Sequence, residues 1–342
     1  MHQVAIIGVG RIGSVHLELM LTSPELGLRP VAVHASSATS ADSLRRRYDV
    51  AVTTDLQAIM ELPTVEAVLI CSPTPSHLHQ VMTALEAGHH VFCEKPLTER
   101  SADTLTCIAA AHERGLVLQV GFHKRHDPAL LQLRDVVQSG QLGVPLTLRI
   151  SSRDPEPPPD GYPRSAGGIF SDSMIHDFDL ARFLLDSRVS RLTAAGGSKF
   201  DRIAAAAGDY DMALALLEFE DGVLASLEVC RTNQGLYDQR FEVHGTDGTA
   251  AVGNQTGALA ITSGRRSERW PGTGTFAERY RDAYRRQLAV FADALSAGRT
   301  TFSPRHAYEA QLLAEHCILA AQEPRQWLEH SDPAVEIHAV NA

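Results

Sequence analysis

Cysteine is scarce and does not pair. Five residues, Cys71, Cys93, Cys107, Cys230 and Cys317, fall at no CxxC spacing, and their number is odd. This excludes a disulfide framework; the thiols read as reduced, small buried side chains of a cytoplasmic protein. A basic surplus is missing too. Thirty-one Lys and Arg against 41 Asp and Glu give a net charge of −10, which is not the footprint of a nucleic-acid binder. No apolar run has the length of a membrane span. The opening residues "MHQVAIIGVG" enter an apolar strand pattern without the basic region of a signal peptide. Repeats, coiled-coil heptads and low-complexity tracts are absent. Histidine is plentiful at 16, but no HxH or HExxH sets two ligands together. A metal set of Asp172, His176 and one of His123, His126 or His244 is therefore the weaker rival of a metal-free reading.

What is present is a 342-residue chain, 44% hydrophobic and 21% charged, the balance of a globular protein of one or two domains. Its first third alternates short apolar runs (Val4–Ile7, Pro30–His34, Val65–Ser72, His90–Pro96, Leu116–Phe122) with helical patterns near 12–21, 42–48, 76–87 and 102–114. Near-continuous apolar strands separated by helices predict a doubly wound parallel sheet covered on both faces. Beyond Phe122 come a helix near 128–139, a strand at Leu146–Arg153 and the proline-dense "DPEPPPDGYP". The helical "GGIFSDSMIHDFDLARFLL" follows, then alternating strands split by turn signals such as "EDG" and "TDG", and two final helices. The expected fold class is α/β: an N-terminal Rossmann-type sheet over residues 1–121, and a C-terminal α+β domain with an open, mostly antiparallel sheet over 122–342.

"GVGRIG" supplies Gly8, Gly10 and Gly13 directly after the first strand and at the opening of a helix, the context a dinucleotide fingerprint needs. Gly8 permits the tight turn, Gly10 lets backbone approach a pyrophosphate, and Gly13 lets helix and strand pack closely. Arg11 and Ile12 lie at the helix N-terminus, which presents N–H groups to the anion. The acid that usually follows the second strand and binds a ribose hydroxyl is missing: "VAVHASSATS" places Ala35 and Ser36 there. Nothing then repels a 2′-phosphate. Ser36, Ser37, Arg11 and Arg45–Arg47 are its candidate partners, so the reading is NAD or NADP with NADP favoured.

"CEKPL" (Cys93–Leu97) ends a parallel strand, where open α/β sheets bind ligands. Its lysine can donate to a substrate oxygen, and its proline suits a cis bond. With "GVGRIG" before it and "GGIFSDSMIHDFDLARFLL" after it, the chain resembles the glucose-fructose oxidoreductase/inositol dehydrogenase (Gfo/Idh/MocA) family from Val4 to at least Gly248. "CSPTPSH", "VGFHKRHDP", "SRDPEPPP" and "YDQRFEVHGTDG" look most like its inositol 2-dehydrogenase branch. The resemblance implies hydride transfer between a nicotinamide and a polyol or sugar hydroxyl carbon, in a homodimer or homotetramer. It implies that Lys95 is the lysine of the "EKP" motif, that Glu94 lies near the nicotinamide ribose, and that Ser72, Pro73 and His77 line the nicotinamide. It makes Asp172 and His176 the family's Asp-x-x-x-His pair, and it places Lys124, Arg153, Asp154 and Tyr237 toward the substrate. "GFHKRHDP" departs from the family in having Lys124 where arginine is commoner.

Oxidising a secondary alcohol sends a hydride to the cofactor and a proton to a base. Histidine has the unperturbed pKa closest to the working pH. On a helix Asp172 and His176 are i and i+4 and share a face. His176 is assigned as base, Lys95 as stabiliser of the developing alkoxide, and Asp172 as the carboxylate that orients the imidazole or binds a substrate hydroxyl. Sequence leaves open whether Lys95 or His176 takes the proton. Asp177 reads as a structural hydrogen-bonder, and Asp179 as either structural or at the pocket rim. Other aldoses or sugar acids, or a non-catalytic NAD(P)-binding regulator on the same fold, are the alternatives.

Overall fold

A computed structural model of the chain describes residues 1–155, 167–233, 237–253, 258–263, 266–269, 276–323 and 328–329. Of the proline-dense stretch, Asp154 and Pro155 lie within the described residues and the remainder outside them.

The chain divides into two compact units, Met1–Phe122 with Tyr284–Tyr308, and His123–Ala283 with Glu309–Ala342. A contiguous division at residue 121 misses the return of 284–308 to the first unit. Aromatic packing accounts for that return. Phe291 meets Phe92 edge-on at 5.5 Å, Tyr284 meets His16 at 5.4 Å, and the Gln287 carbonyl accepts from Gln119 Nε2.

In the first unit β1 (His2–Ile7), α1 (Arg11–Thr22), β2 (Leu28–His34), α2 (Ala38–Arg47), β3 (Ala51–Thr53), α3 (Leu56–Met60), β4 (Ala67–Ile70), α4 (His77–Glu86), β5 (His90–Glu94), α5 (Ser101–Glu113) and β6 (Leu118–Gly121) alternate. The six strands form a parallel sheet in the order β3-β2-β1-β4-β5-β6. This is the doubly wound Rossmann order, whose switch point lies between β1 and β4. Val4–Ile7 and Ala67–Ile70 are 0% exposed. Each large aliphatic side chain so buried contributes about 1.5–3 kcal/mol. The short β3 is a half-exposed edge strand without an apolar run, which is why the sequence pattern does not reveal it.

The second unit contains α6 (Pro128–Gln138), β7 (Pro145–Arg153), a π turn (Phe170–Met174), α7 (Ile175–Leu185), β8 (Val189–Gly197), α8 (Arg202–Ala206), β9 (Met212–Phe219), β10 (Leu224–Cys230), β11 (Asp238–Gly245), β12 (Gly248–Gly253), β13 (Ala258–Ser263) and β14 (Arg266–Arg269). Two long helices follow, α9 (Phe276–Ala297) and α10 (Arg305–Gln322), and then β15 (Leu328–Glu329). The sheet order is β14-β13-β12-β11-β7-β10-β9-β8-β15, antiparallel except for β7 with β10. Alternation gives the sheet two unlike faces. In β9, Ala213, Ala215, Leu217 and Phe219 are buried, whereas Met212, Leu214 and Leu216 are 40%, 51% and 47% exposed. α7 packs on the inner face and against α6.

The helix expected across Gly167–Leu185 is not uniform. Phe170–Met174 form a π turn before regular α7 begins at Ile175. The two glycines ahead of it, Gly167 and Gly168, have φ of 79° and 84°. The extra residue per turn redirects the side chains entering α7, a feature that concentrates at functional sites.

Candidate active site

In the first unit the glycine turn sits at the C-terminal ends of β1 and β4. Gly8 has φ +86°, and a Cβ on it would lie 2.8 Å from the Ser72 nitrogen; a Cβ on Gly13 would lie 2.0 Å from the Gly8 carbonyl oxygen. The chain's own packing thus demands two of the three glycines. Gly10 differs, because a Cβ there would meet nothing within 4 Å. Gly10 is also the N-cap of α1, with no side-chain cap and no acid in the first turn. Uncapped N–H groups beside open space fit a pyrophosphate. Arg11 is exposed and Ile12 half-buried at the same turn.

The loops after β4 and β5 are tied together. The Lys95–Pro96 bond is cis. His77, buried, spans two carbonyls, with Nδ1 2.8 Å from Pro96 O and Nε2 2.8 Å from Ser72 O, and burial lowers its pKa. His77, expected to line the nicotinamide, is placed as a strut between the Ser72 and Pro96 carbonyls. Ser72 donates to Gln80 Oε1, and Pro73 is exposed. Glu94 is held from below, its Oε1 accepting from His16 Nε2 at 2.7 Å. A Cβ on Gly121 would press within 2.9 Å of its Oε2. The sequence reading missed His16; the signal was a histidine one turn beyond Gly13 on the face of α1 that packs on β5.

Three of the groups nominated for a 2′-phosphate, Ser37, Arg45 and Arg47, have other occupations. Ser37 caps α2 by accepting from the Ser40 N–H at 3.2 Å and donates to Ser40 Oγ. Arg45 donates to Asp42 and to the Val52 carbonyl, and Arg47 to Glu18. Ala35 is buried and Ser36 exposed. The lean toward NADP therefore finds no support in this region.

In the second unit Asp172 lies in the π turn with partial exposure, and His176 opens α7 with 9% exposure. The His176 ring meets His123 edge-on at 5.0 Å, His123 meets Tyr280 at 4.8 Å, and Tyr280 meets Tyr237 at 6.0 Å. Burial pushes the Tyr237 hydroxyl well above its usual range. Asp177 is wholly buried, accepting from Ser152 Oγ at 2.9 Å and from Lys124 Nζ at 3.3 Å, while Lys124 also donates to Gln239 Oε1 at 2.6 Å. Asp179 takes the two-pronged fork of Arg125. Asp179 is thus structural rather than at a rim.

Arg153, expected toward the substrate, is engaged by two carboxylates. Strand alternation puts it on the open sheet face, opposite to Ser152. There it donates to Glu228 Oε1 at 2.8 and 2.6 Å and to Asp238 Oδ2 at 2.9 Å. Asp154 follows it, its N–H donating to the Cys230 carbonyl. Among the described residues no group of three His, Cys, Asp or Glu is arranged to hold a metal ion.

A Rossmann sheet with an anion-ready glycine turn, joined to an α+β unit carrying an acid–imidazole pair, defines the class as a nicotinamide-dependent oxidoreductase. Comparison with known proteins narrows this. Residues 2–122 match the model of an oxidoreductase family with an NAD-binding Rossmann fold, and residues 130–251 match the GFO/IDH/MocA C-terminal domain. The chain is 36% identical over 303 residues to the myo-inositol 2-dehydrogenase of Thermotoga maritima, covering 86% of this chain and 89% of that protein. It is 34% identical over 323 residues to an inositol 2-dehydrogenase of Rhizobium meliloti, covering 94% and 97%. The crystal structure of a putative myo-inositol dehydrogenase from Sinorhizobium meliloti 1021 superposes with a TM-score of 0.87 at 32% identity, covering 97% of this chain and 100% of that one. The chain belongs to the GFO/IDH/MocA oxidoreductase family and is an NAD-dependent dehydrogenase.

Proposed function

We propose that this protein oxidises a secondary hydroxyl of inositol or a closely related polyol to the ketone. The similarity to inositol 2-dehydrogenases over nearly the whole chain supports the substrate class. The observation that carries the chemistry is a division of labour among the acids of one short segment. Asp177 and Asp179 are committed to buried cations, while Asp172 keeps solvent access one turn before His176.

His176 accepts the hydroxyl proton. Lys95, on the turn braced by His77, donates to the same oxygen and stabilises its developing charge. Asp172 receives a neighbouring substrate hydroxyl or orients the imidazole. NAD⁺, when bound, would supply the hydride acceptor. Gly8, Gly10, Gly13 and the α1 N-terminus hold its pyrophosphate, and Glu94 receives a ribose hydroxyl. Tyr237 and Asp154 contact the polyol. Lys124 and Arg153, already engaged by carboxylates, support the site from below and from the sheet. The protein works in a reducing compartment, in keeping with five unpaired cysteines.

The exposed apolar stripe Met212, Leu214 and Leu216, with Leu224 at 50% exposure beside it, is the surface on which two copies associate into the expected homo-oligomer. The deciding assay gives purified protein NAD⁺ or NADP⁺ with a panel of inositols and aldoses and follows the absorbance of reduced nicotinamide. Turnover of an inositol with NAD⁺ is expected; turnover of aldoses alone, or of nothing in the panel, refutes the assignment.

A further inference from the structure

The string "HKRHD" (His123–Asp127) is wholly buried although all five of its residues are ionisable. Three consecutive members meet the first turns of α7 in step. His123 packs edge-on against His176. Lys124 pairs with Asp177 at 3.3 Å. Arg125 donates through Nε and Nη2 to both oxygens of Asp179, each at 2.6 Å. The guanidinium also lies 4.9 Å from the Phe183 ring centre, one helical turn beyond Asp179. Side-chain exposure is 5% and 0% for the lysine pair and 4% and 1% for the arginine pair.

Stability alone does not account for two such pairs. Burial raises the pKa of both carboxyls, against the pull of their cations, and apolar residues of similar volume commonly serve a core as well. What a planar fork adds is direction. It fixes one helical residue in both distance and rotation. His176 stands at the junction where the π turn gives way to α7, and there a small change of winding swings a side chain sideways.

We infer that the Arg125–Asp179 fork, with Lys124–Asp177 beside it, is a positioning device that fixes the rotation of the first turn of α7 and thereby the aim of the His176 imidazole. Its catalytic consequence rests on His176 acting as the base; its structural content does not.

Two variants test it. Arg125→Met combined with Asp179→Leu removes both charges together, which spares the fold an unpaired buried ion. Arg125→Lys keeps the charge but loses the fork and the stacking. Each is read by kcat and KM for the polyol, by NAD⁺ affinity in titration calorimetry, and by the nitrogen-15 signals of the His176 ring, assigned with His176→Gln. The expected result for the double variant is a kcat lower by roughly 10–100-fold, with NAD⁺ affinity within about twofold and displaced or broadened His176 signals. Arg125→Lys falls between this and the parent, and it carries the test if the double variant does not fold. Unmoved ring signals with kcat within about twofold of the parent overturn the inference. So does an equal loss of NAD⁺ affinity, which marks a general collapse. If the parent oxidises no polyol, the functional assignment fails while the ring signals still decide this point.

Discussion

The two ends of the proposed chemistry are built from different materials. The nucleotide end in the first unit is made of backbone, with three glycines, an uncapped helix N-terminus and strand ends in parallel register. The proton-transfer end in the second unit is made of side chains, an imidazole on a helix whose neighbouring acids are held by buried cations 53 and 54 residues away. Backbone sites are sensitive to the addition of a single carbon. Side-chain sites are sensitive to the loss of a partner, which leaves a charge buried and uncompensated.

This contrast can be broken or sharpened by substitution. The largest effects belong to the reacting groups. His176→Ala or Lys95→Ala is expected to lower turnover by roughly 10²–10⁴-fold with NAD⁺ affinity retained, and a variant within threefold of the parent removes that residue from the mechanism. Next come the glycines, which separate a structural from a ligand requirement. Gly13→Ala forces a methyl into the Gly8 carbonyl and should destabilise by about 1–3 kcal/mol or more in chemical denaturation. Gly10→Ala, entering open space, should leave stability within about 0.5 kcal/mol yet weaken NAD⁺ severalfold. Equal behaviour of the two would erase the distinction.

Smaller shifts are expected elsewhere. Ala35→Asp, restoring an acid at the end of β2, should raise the ratio of NAD⁺ to NADP⁺ use, measured as kcat/KM with each cofactor; an unchanged ratio places the ribose elsewhere. Leu214→Glu on the open sheet face should lower the particle mass in light scattering without changing circular dichroism, if copies associate there. Last, burial pushes the Cys107 thiol up to about 12 and raises Cys93 and Cys317 well above the ordinary range. All three should stay protonated and resist a thiol reagent at neutral pH, whereas Cys230, part-exposed on the open face, should react first.

Much of this was legible before the structure. The parallel sheet follows from near-continuous apolar runs, and the glycine turn from its spacing, because both depend on interactions local in sequence. Asp177 was legible as a structural acid. The half-exposed β3, the π turn and the return of 284–308 to the first unit were not visible, since none leaves a periodic mark. The partners of Arg153 were hidden for a related reason: a one-residue step along β7 moves a side chain to the opposite face, and the pairing of β7 with β10 and β11 decides which carboxylates meet it.

By itself, then, the sequence determined the class of fold, the nucleotide turn and the family to which the chain belongs. Tertiary structure alone decided which acids of the segment Gly167–Leu185 are buried against cations. The reason is physical. Hydrophobic periodicity and glycine geometry act over a few residues, whereas the partner of a buried charge is set by whichever distant residue the fold carries into contact. Asp177 and Asp179 met Lys124 and Arg125, and Asp172, two turns from Asp179, kept its access to solvent.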